Sequence, residues 1–326
     1  MSHPIHPQSD VPKATGFHIA QDKTPYLFHP ATSALARHGF FSAEGGLSTG
    51  VYASLNCGFG SADSTDKIAA NRGIAAAALQ LDQDQMAAVY QIHSADCITV
   101  DGPTANQTLA DRDQMIRADG LVTTSGNLGL TILTADCLPL LLADEEGKVI
   151  GACHAGWRGA AGGIVANTTD AMRRAGATNI TALIGPTIRQ PSYQVGSAMR
   201  DEVLAMVATS FRDLAAACFA PDDGTYAPSL GAPIISNEDG PRFRFDLAGL
   251  VQYQLAACGV MTVHDCGVDT YYDQGNSGEV NGRLSDPDSK DKDDFADSLP
   301  FFSHRRATHT KMADCGRQIS IIARTL

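Results

Sequence analysis

LTADCLPLLLADEEGKVIGACHAGWRGAAGGI, residues 133–164, sets near-continuous apolar runs against a few polar interruptions. The apolar run that starts at Leu130 continues to Leu142 and is broken near its middle by Ala135-Asp136-Cys137; Lys148–His154 forms another run. Apolar stretches of this length without strict alternation belong to strands covered on both faces. The reading is therefore two buried strands around a bend at 135–137, then a third buried strand. Gly156–Gly163 follows as a Gly-rich turn into a helix over Ile164–Arg174.

Working outward, DKIAANRGIAAAALQL (Asp66–Leu81) predicts a helix capped at Ser64 or Thr65, with Ile68, Ile74 and Leu79 for its buried side. Met86–His93 predicts a strand ending in polar residues. Ile180–Gly185 and Arg317–Arg324 predict two more strands, and Ser197–Thr209 and Asp246–Cys258 two more helices. Strands and helices alternate irregularly, without an internal repeat or a Pro/Gly/Ser linker. The expectation is a single mixed α/β domain over residues 35–326. Residues 1–34, Pro-rich and without an apolar period, read as an irregular arm, and Gln274–Ser298, rich in Asp, Gly and Ser, as a mobile surface insertion.

The chain has 326 residues, with 24 Lys+Arg against 36 Asp+Glu and a formal net charge of −12. A polyanionic partner requires a clustered basic surface, so the balance argues against nucleic acid and for a small-molecule substrate. The N-terminus lacks a basic segment followed by an apolar one, which points to a cytoplasmic protein. The longest apolar stretch, Leu128–Ala143, is interrupted by Thr131, Thr134, Asp136 and Pro139 and falls short of the ~20 residues of a membrane span. Eight Cys are too sparse for a disulfide scaffold and are expected as thiols. Composition leaves monomer and homodimer open.

Three metal-capable side chains sit within apolar sequence: His93 in VYQIH, Cys137 in TADCLP and His154 in GACHAGWRG. A buried imidazole without a partner costs of order 1–3 kcal/mol, so each requires a hydrogen-bond partner or a metal. Two imidazoles and a thiolate suit zinc, and three protein ligands leave a fourth position open, as in catalytic sites. Their wide spacing matches no compact metal motif, and on chemistry alone the reading as satisfied core residues stands ahead of the metal reading.

At these segments the chain resembles the YfiH family, also called the laccase-domain, multicopper polyphenol oxidase or DUF152 family. The resemblance runs through HGFFSAEGGLSTGVYASLN from His38, VYQIHSAD from Val89, ADGLVTT from Ala118, the quoted 133–164 stretch, GPTIRQPSYQVG from Gly185, FDLAGLVQYQLAACGV from Phe245, FFSHRR from Phe301 and GRQISII from Gly316. It implies a layered α/β sandwich of mixed sheets flanked by helices, related to a bacterial cytotoxic necrotizing toxin with a cysteine-hydrolase site. It also implies a metal site of His93, Cys137 and His154, and members that include purine nucleoside phosphorylase-like enzymes and a peptidoglycan editing factor.

Neighbouring residues acquire candidate roles. Asp136 is an acid/base group or a holder of a ligating His; the competing reading is a strand-end cap. Gln91 shares a face with His93 if their strand is regular, and orients substrate or packs. Arg158, after the only Trp, binds an anionic group, while Trp157 packs the turn. Asn56 and the Gly45-Gly46 turn match a family loop that lines the pocket, although a Gly pair is also a plain turn. Cys153 is expected on the opposite strand face from His154, and Cys97 near the metal only if the chain turns there.

Two departures stand out. The family loop usually reads Thr-Arg-x-Gly-Gly, whereas this chain has Ser42-Ala43-Glu44-Gly45-Gly46, and His304 stands where the family commonly has Tyr. The leading expectation is a zinc-dependent purine nucleoside enzyme, catalysing phosphorolysis of adenosine, inosine or methylthioadenosine, deamination of adenosine, or both. The alternatives are a copper polyphenol oxidoreductase and a peptidoglycan-precursor editing hydrolase with Cys137 as nucleophile.

Overall fold

The computed structural model describes residues 16–20, 23–100, 115–222, 240–271 and 300–325. Two six-stranded mixed sheets form its centre. One runs, in spatial order, His18–Ala20, Tyr26–Phe28, Ala36–Phe41, Gln318–Arg324, Gly129–Thr134 and Met86–Ala87. The other runs Thr262–Asp265, Ile180–Ile184, Leu138–Asp144, Ile150–Ala155, Gly120–Thr123 and Cys97–Thr99. A three-stranded sheet of Gln194–Gly196, Arg242–Phe245 and Phe219–Pro221 stands apart from both.

Strand side-chain alternation builds the layers. In Leu138–Asp144, Leu138, Leu140 and Leu142 pack with Ile164, Val165 and Met172 of helix Ile164–Arg174 and with Leu250 and Val251 of helix Leu247–Ala257. Leu141 and Ala143 face the other way, with Ile150, Ala152, Leu130 and Phe40, in the core between the sheets. Both faces are thus dry, which explains the unbroken apolar run. Across that core, Ile322 points inward, while Ile319, Ile321 and Ala323 pack with Ala75 and Ala76 of helix Thr65–Ala78 on the outer face. The result is a mixed α/β sandwich: helix, sheet, sheet, helices.

The bend at 135–137 does more than turn a strand. Gly129–Thr134 lies in one sheet and Leu138–Asp144 in the other, so Ala135-Asp136-Cys137 is the crossover between layers, with Asp136 at φ 86°. The Gly-rich turn after His154 is a short helix, Trp157–Gly162, closed by Gly163 at φ 97°. The strand expected over Met86–His93 ends at Ala87; Tyr90 keeps one isolated bridge to Arg117, and His93 takes φ 61°.

The expected N-terminal arm also needs correction over its described part. His18–Ala20 and Tyr26–Phe28 pair as an edge hairpin of the first sheet, Leu27 is buried, and helix Pro30–Ser33 follows. Leu27, with Phe17 and Ile19 packed against the same cluster, fills the end of the inter-sheet core, too few positions to give a readable period. Residues 1–15 and the 274–298 insertion lie outside the described residues. Among the described residues no helix is long and apolar enough to cross a membrane.

Candidate metal centre and its cavity

The crossover ends on Cys137, and strand Leu138–Asp144 pairs antiparallel with Ile150–Ala155 so that Pro139 stands opposite His154. That register sets His154 beside Cys137. His93 arrives from the loop after Ala87. Donor atoms of His93, Cys137 and His154 all lie within 4.8 Å of one another. Cys137 Sγ is 3.9 Å from His93 Nε2, and the two imidazole rings stand edge to face at 4.7 Å. Two imidazoles and a thiol at this separation form a donor set that fits a tetrahedral zinc ion with one open position.

Asp119, to which the sequence reading assigned no role, organises the centre. Fully buried, it accepts from His154 Nδ1 at 2.8 Å, from the backbone N–H groups of Ile92, His93 and Ser94 at 3.1, 3.0 and 2.6 Å, and from Ser94 Oγ at 2.9 Å. Since a carboxylate only accepts, His154 carries its proton on Nδ1 and turns Nε2 toward the centre. The three backbone donors bend residues 92–94 out of the strand and explain the left-handed φ of His93. Burial pushes the Asp119 carboxyl up, but the hydrogen bonds and charge of His154 and the Ser94 donors outweigh it and hold it below the usual carboxylate range. Burial likewise pushes the Cys137 thiol up, yet the charge and hydrogen bonds of His154 and His93 bring it down to about 6. Burial lowers His154, and the Cys137 thiolate with Asp119 reverses this, lifting it to about 9.

The centre opens into a cavity of about 400 Å³ walled by Phe59, Tyr90, Met115 and Leu133, with Arg72, Arg317 and His304 also lining it. Arg72 is the unusual member. Only 1% exposed, it donates one N–H to the Cys57 carbonyl at 3.1 Å, while Nε and Nη2 have no partner among the described residues. Its guanidinium stands 5.4 Å from the centroid of Phe59. The nearby Cys57 thiol offers no counter-charge, because burial pushes it up to about 12. Arg317 is part-exposed, and its backbone N–H is held by Asn56 Oδ1 at 2.9 Å.

Several expected site residues take other positions. Asp136 does not hold a ligating His: one carboxylate oxygen accepts from Thr270 Oγ1 at 2.7 Å and the other from the Arg305 backbone at 2.6 Å. Its positive φ aims the side chain away from Cys137, and Asp119 does the holding. Gln91 pairs reciprocally with the Leu133 backbone at 2.7 and 2.9 Å, replacing the missing strand ladder, and also lines the cavity. Arg158 is outside the cavity wall; its half-exposed side chain lies 4.2 Å over Trp157 and 3.6 Å from Glu202. Cys153 faces the core behind its strand, and Cys97 packs there beside it, apart from the donor cluster.

Asn56 does not line the cavity but knots the loop that does. Its amide donates to Ser61 Oγ and Asp63 Oδ2, and its oxygen accepts from Gly58 and Arg317. Gly46 is likewise structural: a Cβ there would lie 2.2 Å from the Ser54 carbonyl oxygen. Gly46→Ala is expected to lower stability by about 1–3 kcal/mol, as overpacking against backbone does, read as a lower urea midpoint. An unchanged midpoint would refute the close approach. Ala43 lines a separate cavity of about 240 Å³ and is not among the residues lining the one that holds Arg72, although its loop is hydrogen-bonded to Asn71 beside that arginine.

Residues 37–277 match the family model described as multi-copper polyphenol oxidoreductase laccase. A purine nucleoside phosphorylase of Streptomyces griseus is 35% identical over 238 residues, 72% of this chain and 84% of that one. One of Deinococcus radiodurans is 36% identical over 225 residues, 68% of this chain and 75% of that one. Among solved structures, YlmD from Geobacillus stearothermophilus superposes with a TM-score of 0.70 at 26% identity, covering 94% of this chain and 99% of that one. The Bacillus licheniformis hypothetical protein YfiH, at 24% identity, shares the fold with a TM-score of 0.72 over 95% of this chain and all of that one. By family model, relatives and fold together, the chain belongs to the laccase-like YfiH (DUF152) family.

Proposed function

We propose that this protein is a zinc-dependent purine nucleoside phosphorylase. The observation that carries the reading is the meeting, in one cavity, of the His93/Cys137/His154 donor set with the buried, partly unpartnered guanidinium of Arg72. A buried cation without a carboxylate is costly, and an oxyanion such as phosphate relieves that cost with charge-assisted hydrogen bonds. The names of the Streptomyces and Deinococcus relatives support the same substrate class.

Each group then has a task. Phe59 and Tyr90 offer aromatic faces to a planar purine, and the apolar wall of Met115 and Leu133 shields it from water. Arg72 and Arg317 hold the phosphate acceptor. Asp119 fixes the His154 tautomer and, through the backbone of 92–94, the position of His93. Zinc held by His93, Cys137 and His154 would supply Lewis acidity at the inner end of the cavity. The neutral nucleoside is not repelled by the chain's net negative charge.

Incubation of the purified protein with adenosine tests the reading. Phosphate-dependent release of adenine and ribose 1-phosphate is expected; inosine formed without phosphate would replace phosphorolysis by deamination. Arg72→Lys keeps a charge but loses the planar fork, so the KM for phosphate is expected to rise roughly 10–100-fold, the equivalent of one charge-assisted bond. An unchanged phosphate KM would remove Arg72 from the acceptor site.

A second reading has its own observation. Cys137, His154 and Asp119 also form a nucleophile–base–orienter chain, as a cysteine hydrolase of peptidoglycan precursors would use. Trapping of Cys137 by a substrate-like electrophile in the metal-free protein, with no purine turnover, would favour it. A copper-loaded protein that oxidised phenols would favour the oxidoreductase reading that the family's name carries.

A further inference from the structure

We infer that His304 is the proton donor to the departing purine, an assignment that rests on the nucleoside reading. The residue lines the same cavity as His93, Cys137 and His154. The side chain is exposed and makes no hydrogen bond to the described residues, so its ring nitrogens are available to a ligand.

The position is built. His304 opens helix His304–His309, whose N-cap Ser303 accepts from the Arg306 backbone at 3.0 Å. The next N–H, that of Arg305, donates to Asp136 Oδ2. Asp136 is itself anchored through Thr270 at its side chain, and through Ile188 and Thr187 at its carbonyl. The residue before Cys137 thus clamps the residue after His304. Asp136, expected as an acid/base group, becomes a positioning residue for a different acid.

The other titratable side chains lining the cavity are His93, Cys137, His154, Tyr90, Arg72 and Arg317. Three form the metal donor set, guanidinium does not release its proton, and imidazole is the side chain best suited to proton transfer near neutral pH. Asp119 is buried and saturated with five donors. Around the helix that carries His304 stand Arg305, Arg306, His309, Tyr271 and Asp136. Of these, Arg306 donates to the Thr270, Tyr271 and Phe301 carbonyls, and His309 meets the Tyr271 hydroxyl.

The C1′–N9 bond breaks and its electron pair enters the purine. His304 delivers its imidazolium proton to N7, a phosphate oxygen bonds to C1′, and solvent reprotonates the imidazole. Free purine and ribose 1-phosphate leave.

The test compares inosine with 7-methylguanosine, whose base departs without needing that proton. In the zinc-loaded protein, His304→Gln is expected to lower kcat on inosine about 10²–10⁴-fold, the worth of a general acid. It should leave 7-methylguanosine turnover, zinc content and melting temperature near wild type. In the wild type, an imidazole NMR signal absent from His304→Gln should shift when hypoxanthine is added. Equal losses on both nucleosides, or unchanged inosine turnover, would overturn the assignment while the nucleoside reading stands. A wild-type protein inactive on both nucleosides would overturn the two together.

Discussion

Cys137→Ala protein is expected to emerge from purification without zinc and without turnover, yet folded. Cys137 is the anionic member of the donor set; its removal leaves only the two imidazoles. If the three ligands share an apparent zinc binding free energy of about 10–16 kcal/mol, losing one weakens binding on the order of a thousandfold or more. The fold tolerates the change because Cys137 closes a crossover whose geometry is held by Asp136, Thr187 and Ile188 and not by its sulfur. Metal analysis and turnover on the same sample check the expectation. Full turnover by a metal-free Cys137→Ala protein would sink the metal reading.

Asp119→Asn should cost more in stability. The carboxylate satisfies five donors at once, and an amide in its place presents N–H groups to N–H groups and leaves His154 without its counter-charge. Breaking one side of a buried charge pair costs about 3–5 kcal/mol, and loss of a residue that orients a metal ligand weakens metal binding about 10–100-fold. Chemical denaturation with and without chelator separates the two effects. The direction of its pKa also sets a pH signature. Since the folded carboxyl lies below its unfolded value, its stabilisation is complete above that value, about 3.9, and disappears as pH falls through the folded one. Wild-type stability should therefore drop more steeply on acidification than that of Asp119→Asn. Parallel curves would deny Asp119 its central place.

Much of the architecture was legible locally. The runs around Leu140, Ile150, Ile180 and Ile321 are strands because apolar side chains on both faces leave no wet side, and the Ala-rich Thr65–Ala78 helix needed only its own composition and a start at Ser64. The candidate donors His93, Cys137 and His154 stood out for a similar reason, as polar, metal-capable groups embedded in apolar sequence. Where they sit in space was a separate matter. The bend before Cys137 could be read, but that its two strands belong to different sheets could not, because pairing partners lie far off in sequence. Likewise, the strand expected to reach His93 stopped at Ala87, since Asp119 takes up the backbone donors a ladder would have used.

Residue roles divided along the same line. Asp136 and Asn56 look catalytic or substrate-binding in one dimension, being polar and beside motif positions; in three dimensions their hydrogen-bonding capacity is consumed by Thr270, Arg305, Ser61 and Asp63. Asp119 and Arg72 were silent in sequence, an acid at a strand start and a cation on an Ala-rich helix, although a charge inside an apolar neighbourhood was the signal each offered. Sequence by itself determined which segments are buried and which side chains have metal chemistry, because burial pattern and side-chain chemistry are local properties. Only the tertiary structure decided which of those side chains share a cavity and which still have an unused bond to give, because hydrogen-bond saturation depends on neighbours that the chain order does not reveal.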